Sequence, residues 1–160
     1  MADDHGFPMQ LEVTEIPSRR LAGVRHQGPY PRISEAFLRL FPRADALGLS
    51  RVAGAVYVAV YYDDPERTPQ DALRSLAAVT VAEDATIADL EDARLPSGRY
   101  VRMPFFGPHS DLGEAWRHLN HRRAEEGYQR RDGVSFEMYL GQEDKAPPDR
   151  VRTDLYAPVV

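Results

Sequence analysis

The chain has 160 residues, 42% of them apolar and 28% charged, with 25 acidic against 20 basic side chains for a net charge of −5. That length and apolar share suit one domain with an ordinary core, and the mixed, slightly acidic charge disfavours both disorder and general nucleic-acid binding. The absence of cysteine excludes disulfides, thiolate metal sites and a cysteine nucleophile; the longest apolar run, Val52 to Tyr62, is far short of the roughly 20 residues of a membrane span, and the acidic start is unlike a secretion signal, so a cytoplasmic protein is expected.

In chain order, residues 1–9 read as a loose tail ahead of a single domain over 10–160. Leu11, Val13 and Glu15 alternate with Glu12, Thr14 and Ile16 up to Pro17-Ser18, and Leu21 to Gln27 comes next as a second strand that stops at Gly28-Pro29. This pattern predicts a β-hairpin and then a breaker. Ile33, Ala36, Phe37, Leu40 and Ala44 recur at helical spacing, and two runs rich in β-branched and aromatic residues, Ala55 to Tyr62 and Ser75 to Val81, complete the half as strands. Glu83 to Asp89 is the expected linker.

Beyond the linker the chain repeats itself. Leu11 to Leu40 aligns without a gap on Leu90 to Leu119, an offset of 79 residues, with ten identities that include Pro17/Pro96, Ser18/Ser97, Gly28/Gly107, Pro29/Pro108 and Glu35/Glu114. After a one-residue slip, Val56/Val134, Tyr61/Tyr139 and Arg74/Arg152 continue the match. Self-similarity of this length predicts two β-β-α-β-β halves, about 11–81 and 90–159. The expected fold class is therefore α+β, with an antiparallel sheet, two main helices and a pseudo-twofold relation that gives Phe37 and Trp116 equivalent buried positions.

The second half also contains the most informative strand, Val134 to Leu140. Period-two alternation puts Phe136, Met138 and Leu140 on one face, read as the helix-covered core, and Ser135, Glu137 and Tyr139 on the other. In the matching strand of the first half, Tyr57, Ala59 and Tyr61 share a face, so Ala59 is the mate of Glu137. If the two strands approach, one carboxylate lies among Tyr57, Tyr61 and Tyr139, a setting suited to a flat hydrophobic cation. The alternative is a solvent-facing glutamate on a half-exposed sheet.

Three segments, Val58-Ala59-Val60-Tyr61-Tyr62-Asp63-Asp64-Pro65 with Thr68-Pro69 after it, Gly98-Arg99-Tyr100, and Phe136-Glu137-Met138-Tyr139-Leu140, resemble the GyrI-like small-molecule-binding family over nearly the whole chain. That family includes gyrase-inhibitory-type proteins and the effector-binding domains of AraC-type and multidrug-sensing regulators. The resemblance implies a duplicated fold with a ligand cleft between the halves and a central glutamate, Glu137, that contacts cationic or amphipathic ligands. It implies a stand-alone sensor, sequestering or toxin-resistance protein. It also implies two alternatives: a hydrolase of strained cyclopropane-bearing toxins, with Glu137 and Tyr139 catalytic, or a protein-interaction module of the gyrase-inhibitor kind. No DNA-binding segment precedes the first strand, so no direct DNA binding is expected; a protein partner is compatible with the resemblance.

Other groupings have plainer readings. Glu114, His118, His121 and Glu125 lie at helical spacing, where zinc ligation is conceivable but solvated salt-bridging is the expectation, with both histidines facing solvent. His26 and His109 stand beside Gly28 and Gly107 with no recognisable Ser-His-Asp relay. Asp63 to Glu66 lacks the spacing of a calcium loop and reads as a hairpin turn. Arg117, Arg122, Arg123, Arg130 and Arg131 are interleaved with acids, and no glycine-rich phosphate loop is present. No metal or cofactor is expected.

Overall fold

The computed structural model describes residues 10–141 and 151–160; the expected tail at 1–9 lies outside the described residues. Among them are eight strands, β1 (Glu12–Ile16), β2 (Arg19–Gln27), β3 (Tyr57–Tyr61), β4 (Arg74–Thr80), β5 (Glu91–Leu95), β6 (Gly98–Phe106), β7 (Ser135–Tyr139) and β8 (Arg152–Pro158), and two helices, α1 (Ser34–Ala46) and α2 (Leu112–Glu125). The ladders β1–β6, β2–β4, β2–β5, β3–β4 and β6–β8 are all antiparallel, and the fold is α+β. No helix among the described residues is long and apolar enough to cross a membrane.

The chain divides into two compact units whose boundaries differ from those of the sequence halves. One takes β1 together with 98–132 and 137–160, and its strands run in the order β1-β6-β8-β7. The other takes 17–97 with 133–136, in the order β3-β4-β2-β5. The predicted hairpin of β1 with β2 does not form: β1 pairs with β6, Glu12 opposite Arg102 and Ile16 opposite Gly98, while β5 pairs with β2, Glu91 opposite Gly23 and Leu95 opposite Arg19. The first strand of each half is thus hydrogen-bonded to the second strand of the other. Turn chemistry explains the correction. A two-residue hairpin of type I′ or II′ needs positive φ at its first central residue, which Pro17 and Pro96 cannot adopt. No residue from 16 to 18 or from 95 to 97 has positive φ, so the chain runs on instead of folding back. Both exchanged registers obey the 79-residue offset.

Each helix closes one unit's core. On α1, Ala36, Phe37, Leu40 and Ala44 are buried, and on α2 the buried residues are Leu112, Ala115 and Leu119. The α2 residues pack on Val101, Met103 and Phe105 of β6 and on Leu155 and Ala157 of β8. Both helices end the same way, in a left-handed glycine just past the last turn, Gly48 at φ 72° and Gly127 at φ 82°. These two glycines are also 79 residues apart, and each adopts at little cost a conformation that a Cβ disfavours. Phe37 is 8% exposed, whereas Trp116 is only half-buried. The expected equivalence of the two rings therefore holds in position along the helix and not in burial.

Candidate functional site

The candidate site is built from β7 and α2. Alternation along β7 is as the sequence indicates, but the face assignment is reversed. The side carrying Glu137 and Tyr139 faces α2: Trp116 on that helix reaches Glu137, and Tyr139 packs against the cluster formed by α2, β6 and β8. Phe136 lies on the opposite face and is still fully buried, while Leu140 beyond the strand is 46% exposed. Apolar content misleads here because β7 is buried on both faces at its start, and then hydrophobicity does not say which face carries the helix.

Glu137 is 2% exposed. Its Oε2 accepts a hydrogen bond from Trp116 Nε1 at 2.6 Å, and its Oε1 accepts one from the hydroxyl of Tyr139 at 2.6 Å. Each carboxyl oxygen thus meets one polar atom of an aromatic side chain. An indole N–H can only donate, so Trp116 fixes the role of the oxygen it meets. Tyr139 is two residues from Glu137 on the same face, and its ring carries the ring of the exposed His109 at 5.1 Å between centroids and 48° between planes. The result is a buried acid framed by one indole and one phenol, with an imidazole at the outer side of the phenol. Ring faces of this kind favour positive charge.

Sequence reasoning proposes Glu137 and Tyr139 and does not connect Trp116 or His109 with them. Trp116 disappears into the apolar stripe of the helix, although a tryptophan near a buried core carries an N–H that needs an acceptor, and this is the available signal. His109 gives no signal beyond its place next to Pro108, at the start of the 3-10 turn His109–Asp111 that leads into α2.

Tyr57 and Tyr61 belong to the other unit. Tyr57 meets Phe41 edge-on at 5.0 Å and Phe37 at 6.4 Å, and Tyr61 carries the ring of Tyr30 at 4.6 Å. The Tyr30–Tyr61 contact repeats the His109–Tyr139 contact with different chemistry, while Phe37 stands at the position of Trp116 and the fully buried Ala59 at that of Glu137. The Tyr30 hydroxyl donates to the Asp63 carbonyl at 2.6 Å and accepts from the Asp63 amide at 2.9 Å. Burial pushes the Tyr30 phenol up to about 12. A shallow depression of about 350 Å³ in this unit is lined by Phe41, Pro42, Asp45, Ser50 and Tyr57, and Asp45 is held there by Arg51 at 2.9 Å.

The remaining groupings are structural. His121 pairs with Glu125 at 3.3 Å on the outer side of α2. His118 is half-buried and not solvent-facing as expected. Burial, then the nearby Arg122 and His121, holds its imidazole below the usual range. Among the described residues no three histidines, aspartates or glutamates gather where they could hold a metal. In the β3–β4 connection, Asp63 is gripped by Arg74 at 2.8 and 3.0 Å, which lowers its carboxyl below the ordinary range, and Asp64 caps the amide of Glu66 at 2.9 Å.

The sequence model of the family described as "GyrI-like small molecule binding domain" matches residues 9–160. A protein of Salmonella typhimurium (strain LT2) named DNA gyrase inhibitor is 27% identical over 144 residues, covering 85% of this chain and 91% of its own. Among solved structures, SAV2435 bound to tetraphenylphosphonium is similar with a TM-score of 0.68 at 16% identity, over 95% of this chain and 94% of that one. A hydrolase encoded by lin2189 from Listeria innocua is similar with a TM-score of 0.65 at 16% identity, over 94% and 92%. At these identities the structural likenesses show the fold.

Proposed function

Because the chain belongs to the GyrI-like small molecule binding family, we propose that it binds small amphipathic cations at Glu137 and acts alone, as a sensor, sequestering agent or toxin-resistance protein. The observation that carries this reading is the buried carboxylate, 2% exposed, with an indole and a phenol donating to its two oxygens. A carboxylate withdrawn from water gains most from a cation whose own hydration is weak, and the flanking rings add attraction without bringing water. The similar fold of a protein solved with a lipophilic phosphonium supports the choice of ligand class. Glu137 and Tyr139 are the proposed contacts in their unit, and Tyr57 and Tyr61 are proposed as further ligand contacts within theirs.

The test compares tetraphenylphosphonium with a neutral tetraphenyl analogue. Glu137→Gln keeps the shape and removes the charge, and is expected to weaken the cation by about 1.5–3 kcal/mol while the neutral analogue changes little. Equal effects on both ligands, or none on either, would remove Glu137 from the site.

A second reading is favoured by the 2.6 Å contact of Tyr139 with Glu137 and by the hydrolase of similar fold. Here Glu137 takes a proton from an attacking water and Tyr139 assists the leaving group of a cyclopropane-bearing electrophile. Product analysis after incubation with such compounds separates the readings, because turnover lost in both Glu137→Gln and Tyr139→Phe with binding retained belongs to the enzyme alone. The relatives named gyrase inhibitors make a supercoiling assay with added protein the matching check for a protein partner.

A further inference from the structure

The ring of His109 lies tilted beside the ring of Tyr139, 5.1 Å between centroids and 48° between planes, and Tyr139 in turn donates to Glu137. A cation within about 6 Å of an aromatic centroid is attracted by the ring face. When the imidazole of His109 carries a proton, it therefore places a positive charge, from within the protein, beside the phenol that is hydrogen-bonded to the buried acid, where it repels a bound cation. When the imidazole is neutral, it extends the aromatic wall beyond Tyr139. The corresponding residue of the other unit, Tyr30, has no such second state near neutral pH, since its hydroxyl is fixed on both sides by the Asp63 backbone and its pKa is pushed up to about 12.

We propose that His109 is a specificity-determining residue of the Glu137 site, whose protonation competes with cationic ligands and leaves neutral ligands of the same shape less affected. The inference rests on the ligand reading of that site. His109 meets the ring of Tyr139, which is hydrogen-bonded to Glu137 and through it linked to Trp116, and the nearest acids along the chain are Asp111 in the same 3-10 turn and Glu114 in the first turn of α2. Histidine is the side chain whose ordinary charge change falls between about pH 5 and 8, which sets the range over which the proposal is tested.

Tetraphenylphosphonium has no titrating group and is the probe, measured against the full chain at pH 8 and at pH 5.5. In parallel, the indole N–H resonance of Trp116, the one tryptophan of the sequence, is tracked through the same range without ligand. Binding is expected to be about 3- to 10-fold weaker at the lower pH, the size of a like-charge contact at the edge of a protein. His109→Phe should bring the ratio of the two dissociation constants close to one and remove the matching movement of the indole resonance, whereas His118→Gln should leave both. A ratio unchanged by His109→Phe, or one set by His118, overturns the proposal. If tetraphenylphosphonium binds at neither pH, the ligand reading itself fails. The indole resonance then decides whether His109 is coupled to the Glu137 cluster: movement lost in His109→Phe supports the coupling, and a resonance that never moves refutes it.

Discussion

Replacing Trp116 with Phe is the sharpest probe of the cluster on β7 and α2. The substitution keeps an aromatic ring against the β6 and β8 core and removes a single donor, the Nε1–H that meets Glu137 Oε2 at 2.6 Å. Glu137 is 2% exposed, so water cannot readily replace the lost bond. A hydrogen bond to a charged acceptor contributes about 1.5–3 kcal/mol, and a chain of this length loses roughly 2–4 °C per kcal/mol, so a drop of about 3–12 °C is expected. The same change in a Glu137→Gln background should cost less, about 1 kcal/mol, because the acceptor is then neutral. In that background the amide oxygen can accept from the indole while its NH2 donates to the Tyr139 hydroxyl. Urea unfolding monitored by far-ultraviolet circular dichroism on the four proteins of the cycle gives the coupling directly, and about 1 kcal/mol is expected. A coupling below about 0.3 kcal/mol would mean that the indole and the carboxylate do not meet in solution, and the site as described would be refuted.

Two further outcomes concern the frame around the site. Gly127 ends α2 at φ 82°, and a Cβ placed there would meet nothing within 4 Å. Gly127→Ala should therefore cost about 1 kcal/mol in urea unfolding from backbone strain alone, and a neutral result would contradict the left-handed cap. His118 is held below its ordinary pKa by burial and by Arg122, so the unfolded chain takes up the proton first; its stability contribution is complete above about pH 6.5 and falls as pH drops through the folded value. The melting temperature should decline between pH 7.5 and 5, and less steeply in His118→Gln; identical slopes would refute the assignment.

Helices, strands and their order are legible because they rest on period: Ala36, Phe37, Leu40 and Ala44 mark a helix face in the sequence and the same four are buried on α1. Pairing is less legible. Pro17-Ser18 reads as punctuation between strands, yet the fixed φ of proline carries the further information that the turn cannot be a tight hairpin. The acid of the site is legible through its strand and its missing mate at Ala59. Its environment is not, since alternation assigns residues to faces without saying which face a helix covers, and Trp116 comes from an element 21 positions away in the chain. His109 is least legible of all, because an exposed ring in a short turn has no periodic neighbours to declare its role.

The exchange of first strands has a consequence for how the protein emerges from the ribosome. β1 is made early, yet its ladder partner in β6 is translated roughly 80 to 90 residues later. At about 5–20 residues per second, that leaves the strand waiting for roughly 4–18 seconds. During that interval Glu12 and Glu15, both exposed, are its chief safeguard against pairing with a neighbouring nascent chain, since charge on an unpaired strand is the usual deterrent to such association. The rate of translation between residues 17 and 97 therefore sets how long β1 stays unpaired.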